Sequence, residues 1–227
     1  MDSQQASRHV AAEIEGVGNL MRSLAGRYEG IFSGLAATLR ETLAQSGTMA
    51  EAARDATAIA EAAASSFRDH IPNQPAMACA SGCSPCCHLY VQLPPGSAAL
   101  IADHIAATFP PAASAALLAR LAEAAAALRD APDPARLRLR CALLGNDDRC
   151  TVYEVRPLSC RAFTSKSLPR CQQVVFGDAP GGVEQNAGHF RIHTEATFAL
   201  EQAAKYRGLP AEQKGLVAAL LEEMRSG

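Results

Sequence analysis

Apolar side chains recur at Val10, Ile14, Val17, Met21, Leu24, Tyr28, Ile31 and Leu35, in alternating steps of four and three. That spacing predicts a long helix carrying a coiled-coil seam. After a break near Gln45-Ser46-Gly47-Thr48, helical spacing resumes at Met49, Ala52, Ala56, Ile59, Ala63 and Phe67. The two segments together predict an antiparallel helical hairpin over residues 1–70. Gly26, Gly30 and Gly34 stand four apart on one face of the first helix. Each costs a helix about 1 kcal/mol relative to alanine, a cost that suits a face against which another backbone packs closely. The seam has two uses: packing within the chain, or self-association or the docking of a protein partner.

The periodicity stops at residue 71, where proline, glycine, serine and cysteine take over. Such a stretch has no apolar face to shape it, and a bound metal would supply the missing organisation. Ser97 is placed to cap a helix ending near Phe109, and Pro110-Pro111 parts it from a second Ala/Leu helix ending near Asp130. Residues 136–171 form a second cysteine region, with short strands expected around Arg149 to Val155. A glycine-rich loop from Gly177 to Gly188 leads to two more helices, about Ile192 to Arg207 and Ala211 to Met224. The expected architecture is mainly α: the hairpin over 1–70, a cysteine-cluster metal-binding module over 71–175, and a C-terminal loop and helices over 176–227 packing on the module. Composition agrees, since 47 of 227 residues are alanine, tryptophan is absent and aromatics make up 5%.

Charge narrows the partners. The formal net charge of −2 argues against bulk capture of nucleic acid or an anionic membrane. The charges are nonetheless segregated. Residues 1–75 hold six basic and nine acidic side chains, whereas residues 136–170 hold eight basic against three acidic, a net +5. That patch suits a solvated surface, compensation of a thiolate cluster or an anionic partner. Without interleaved aromatics, nucleic acid is the weakest of these. The polar, acidic N-terminus does not read as a secretory signal. The one long charge-free stretch, Ile71 to Ala102, carries five prolines and cannot make a spanning helix. A cytoplasmic location is expected, and in that reducing compartment eight thiols in tight groups read as metal ligands or redox groups rather than disulfides.

The cysteines fall into two groups of four: Cys79, Cys83, Cys86 and Cys87 within nine residues, then Cys141, Cys150, Cys160 and Cys171. Closely spaced thiolates select soft or borderline metals and lower the loop-closure entropy of a site. Four thiolates saturate either a tetrahedral zinc or a 4Fe-4S cluster, so eight allow two closed sites, or one site with thiols to spare. A zinc ribbon needs two C-x2-C knuckles, and Cys83-x2-Cys86 supplies one. The spacing Cys79-x3-Cys83-x2-Cys86 also matches that of radical S-adenosylmethionine enzymes, but the chain lacks the alternating strands and helices of their barrel. His88 could replace one thiolate as a ligand. His189 and His193, four apart without the glutamate of a metalloprotease helix, read as surface or capping residues.

Taken together, these residues resemble the YkgJ-type cysteine-cluster family, a zinc- or iron-chelating domain that also includes flagellin lysine N-methylases. The family pattern opens with C-x2-3-C-x2-C-C and continues through a helix to C-x2-L, C-x-(I/V)-Y, R-P and C-R-x-F. Its counterparts are Cys79, Cys83, Cys86 and Cys87; Cys141 to Leu144; Cys150 to Tyr153; Arg156-Pro157; and Cys160 to Phe163. The resemblance implies a metal or iron–sulfur centre held by most or all of the eight cysteines. The methylases are considerably longer, so it covers the metal module and not their transfer activity. Tyr153 would then shield the centre or donate to a sulfur, and Arg156 and Arg161 would offset its charge. Pro157 reads as a turn former and Phe163 as core. Two rival functions are an iron–sulfur enzyme acting with S-adenosylmethionine and a structural zinc module for protein–protein interaction.

Overall fold

The computed structural model describes residues 3–177 and 179–226. Helix α1 (Ser3–Gln45) and helix α2 (Met49–His70) form the hairpin, and the turn between them is closed by a capping box. The Glu51 N–H donates to the Thr48 hydroxyl at 3.1 Å, and the Thr48 N–H donates back to the Glu51 carboxylate at 3.0 Å. Helix α7 (Ala187–Tyr206) lies against both, so the first core is a three-helix bundle. Phe32, Leu35, Leu39 and Leu43 of α1 are buried with Ile192, Ala196 and Leu200 of α7 against an alanine seam on α2. The small seam residues let the helices approach closely. Tyr28, Phe32 and Phe67 close its end with centroids 5.2 to 6.5 Å apart. There Arg191 makes a two-pronged pair with Glu29 at 2.8 and 2.7 Å.

The seam of α1 has two fates. From Tyr28 onward it packs in the bundle apart from the exposed Ile31, whereas Val10, Ile14, Val17, Leu20, Met21 and Leu24 are each more than half exposed. A Cβ added at Gly26, Gly30 or Gly34 would meet nothing within 4 Å, so the close backbone approach expected on that face is absent among the described residues.

The second core lies on the other side of helix α3 (Ser97–Thr108), which touches both. Leu100 faces the bundle, whereas Ile101 and Ile105 face helix α4 (Pro111–Asp130) and helix α8 (Leu216–Ser226). Strand β1 (Gln92–Leu93) pairs antiparallel with β2 (Lys214–Gly215), which ties the segment just after the first cysteine group to the start of α8. Leu143 and Val152 complete this core.

The chain is mainly α, as its composition and periodicity indicate; the last helix starts at Leu216 and not at Ala211, because Lys214 and Gly215 pair with β1, and three further local expectations are corrected. The strands foreseen around Arg149 to Val155 reduce to one bridge, Leu144 to Cys150, followed by a 3-10 turn at Tyr153–Val155. Pairing outward is blocked there because the segment folds back on itself: the Thr151 N–H donates to the Leu143 carbonyl at 2.9 Å and the Gly145 N–H to Arg149 at 2.8 Å. The cap of α3 is Gly96, with φ of 82°, and not Ser97, which is buried inside the first turn. Helix α7 begins at Ala187, earlier than expected, because Asn186 caps it through the His189 N–H.

Candidate metal centre

The first cysteine group sits on a loop ending in a 3-10 turn, Pro85–His88. Gly82 at φ of 85° turns the chain, and the Cys83 N–H donates to the Ala80 carbonyl at 3.0 Å. The Cys141 N–H donates to the Cys87 carbonyl at 2.8 Å, joining the first group to the second. Cys150 leaves the folded-back turn, Cys160 sits on helix α5 (Leu158–Ala162) and Cys171 on helix α6 (Leu168–Phe176). The Ser159 hydroxyl donates to the Gln92 carbonyl at 2.8 Å and anchors α5 to β1.

The two groups of four in sequence become five and three in space. Cys86, Cys87, Cys141, Cys150 and Cys160 line one cavity of about 270 Å³, together with Arg156, Gln92, Ser159 and Gln213. Phe163, expected in the core, also lines this cavity. Cys79, Cys83 and Cys171 are outside that wall; Cys79 and Cys83 feel Cys86 ahead of Cys171, and Cys86 acts electrostatically on the cavity thiols as well. All eight thiols are free. Among the described residues no three His, Cys, Asp or Glu side chains stand in an arrangement that could hold an ion, so the thiols converge without closing into one sphere.

Burial sets their acidity. It raises the pKa of Cys79, Cys83, Cys141 and Cys150, and pushes Cys160 up to about 12. Cys86 is raised by its bond to Cys87, with burial adding to it. Burial also works against the charge of Arg156, but the surrounding Cys160, Cys86, Cys87 and Cys150 outweigh it and raise its pKa. The donor set is therefore all sulfur with one cation beside it, which fits a thiolate-bound metal.

Residues 78–178 match the family model described as "CxxCxxCC: Putative zinc- or iron-chelating domain". The match spans somewhat under half of the chain, and over it the chain is similar to that domain. No curated protein and no solved structure matches the chain. The family description supports metal binding, and the match covers all eight cysteines.

Around the matched segment the basic patch is mostly spent on backbone carbonyls and local carboxylates. Arg140 donates to the Leu144 and Gly145 carbonyls, Arg170 to Gly182 and Pro180, and Lys166 pairs with Glu184. Arg156 is the patch residue that lines the thiol cavity. Tyr153 is exposed, with the Arg156 and Arg161 guanidiniums 6.0 and 5.7 Å from its ring centre. The His88 ring bonds the Ser84 carbonyl at 3.2 Å and stacks edge-on to Phe176.

Arg161 ties the domain to the bundle. It donates to the carbonyls of Arg156, Tyr153 and Glu154 at 2.8 to 3.0 Å and reaches Glu61 of α2 at 3.4 Å. Glu61 also meets Nε2 of His193 at 3.1 Å, and His193 is 0% exposed. His193 is thus buried and not a surface residue, and its ring lies 4.4 Å from that of the half-buried His189. Glu61 had no local signal, because nothing in a run of small residues on α2 points to a partner a hundred positions away. Its bond from His193 holds its pKa down at about 2, against burial and with help from Arg161. A depressed carboxyl stabilises the fold above its ordinary value of 4.5, and that stability is lost as pH falls toward 2. Glu61→Gln is expected to flatten this acid loss, measured as melting temperature against pH for variant and wild type. Parallel curves would remove Glu61 from the account.

Proposed function

We propose that this CxxCxxCC-like segment holds a polynuclear iron–sulfur centre on thiolates drawn from Cys79, Cys83, Cys86, Cys87, Cys141, Cys150, Cys160 and Cys171. The observation that carries the reading is a single cavity of about 270 Å³ with five cysteines in its wall. One zinc held by four thiolates at about 2.3 Å fills its own site, and a water occupies about 30 Å³ of liquid, so the cavity is several times what one ion needs. Leu89, Val91, Leu143 and Leu216 give the cavity an apolar side. That wall limits water, and Arg156 offsets the net −2 of a four-thiolate 4Fe-4S centre. A centre of this kind supplies one-electron transfer or an iron open to a ligand. The same reading keeps the protein in the cytoplasm, where free thiols persist.

Metal and acid-labile sulfide per chain, measured with an absorption spectrum on protein purified without oxygen, test this. Iron with matching sulfide and a broad band near about 400 nm is the expected result. Zinc without sulfide would overturn it and make the cysteines a structural clamp.

A further inference from the structure

The outer part of α1 leaves the bundle as a single helix with one apolar stripe. Val10, Ile14, Val17, Leu20, Met21 and Leu24 are 53 to 68% exposed, and Ile31 is 43% exposed. An isolated helix is marginal in water, and this one also carries Gly16, Gly18 and Gly26, none of which touches another element. It therefore needs a packing partner. The stripe is the same face that buries Phe32, Leu35, Leu39 and Leu43 further down, so it continues a packing surface already in use. Ala11, Gly18 and Ala25, seven apart, flank it with small residues that let a second helix come close.

We propose that this stripe pairs antiparallel with the same segment of a second copy of this chain. Two observations choose the occupant and its direction. First, Glu13 in the outer half and Arg27 in the inner half stand two heptads apart on the same edge of the stripe. Antiparallel pairing sets Glu13 of each copy beside Arg27 of the other, whereas parallel pairing aligns like with like. Second, below Tyr28 the same face is covered by α2 and α7, so a parallel partner would bring a second bundle to a place already filled. Antiparallel pairing leaves the two bundles at opposite ends. The face bearing Gly26, Gly30 and Gly34 is not explained by this pairing.

Sedimentation of the full, metal-loaded chain tests it. The expected result is a dimer at micromolar concentration that Ile14→Glu or Leu24→Glu turns to monomer, with circular dichroism and metal content retained. Reversing Glu13 alone (Glu13→Arg) or Arg27 alone (Arg27→Glu) weakens the dimer about tenfold or more, and combining the two restores it. A wild-type monomer would give the face to a different protein and overturn the proposal. So would a dimer indifferent to Ile14 and Leu24, or one in which the Glu13 and Arg27 reversals show no rescue.

Discussion

Cys86→Ser strips the bound metal from the protein, whereas Cys79→Ser leaves much of it in place. Cys86 lines the cavity and acts on Cys79, Cys83, Cys141, Cys150 and Cys160, so it is the thiol shared by both sets. Cys79 is exposed at the edge, its Sγ 3.9 Å from the Ser165 carbonyl. Losing a thiolate from the middle of a centre removes a ligand that no neighbour replaces, and in metal sites that free energy is folding energy. The damage is local, because Pro85 is the one fully buried residue between Cys79 and Tyr90 and that loop has no core of its own. Metal content is the first readout. Hydrogen exchange is the second: protection is lost over residues 76–90 while α1, α2 and α7 keep theirs. Full metal occupancy in Cys86→Ser, or equal loss in both variants, would end the five-and-three division of the thiols.

That division shows where sequence reading succeeds. The heptads of α1, the break at residues 46–48 and the Ala/Leu helix α4 were legible because each is a local pattern. The eight cysteines were legible as a constellation because their residue type and spacing carry the chemistry. Their grouping in space was not, because it depends on the turn that returns Cys150 toward Cys141 and on α6, which packs on the Pro85–His88 turn and brings Cys171 to the first group. Arg161 illustrates the same limit. Its motif position reads as a cation for the thiolates, and the structure spends its side chain on three carbonyls and Glu61. The patch charge that lines the thiol cavity is Arg156, and only the fold separates the two.

Gly96→Ala is expected to destabilise the protein by about 3–5 kcal/mol, a large share of a typical domain's stability. At φ of 82° an alanine pays about 1–2 kcal/mol of backbone strain. The remainder comes from Met49: a Cβ at Gly96 would run into the Met49 carbonyl. Met49 lies in the first turn of α2, which the Thr48 and Glu51 capping box holds, so the obstacle is backbone that cannot swing aside. The contact also joins the two cores, because Gly96 begins α3 and Met49 begins α2. Gly208, at φ of 68° with nothing within 4 Å of a Cβ, separates the two contributions. Gly208→Ala pays the strain alone, about 1–2 kcal/mol. Urea unfolding of both variants measures the difference, and equal losses would show that α2 and α3 part without cost. No window of sequence around Pro94-Pro95-Gly96-Ser97 reveals this requirement, since the atom that forbids a side chain belongs to a residue 47 positions earlier.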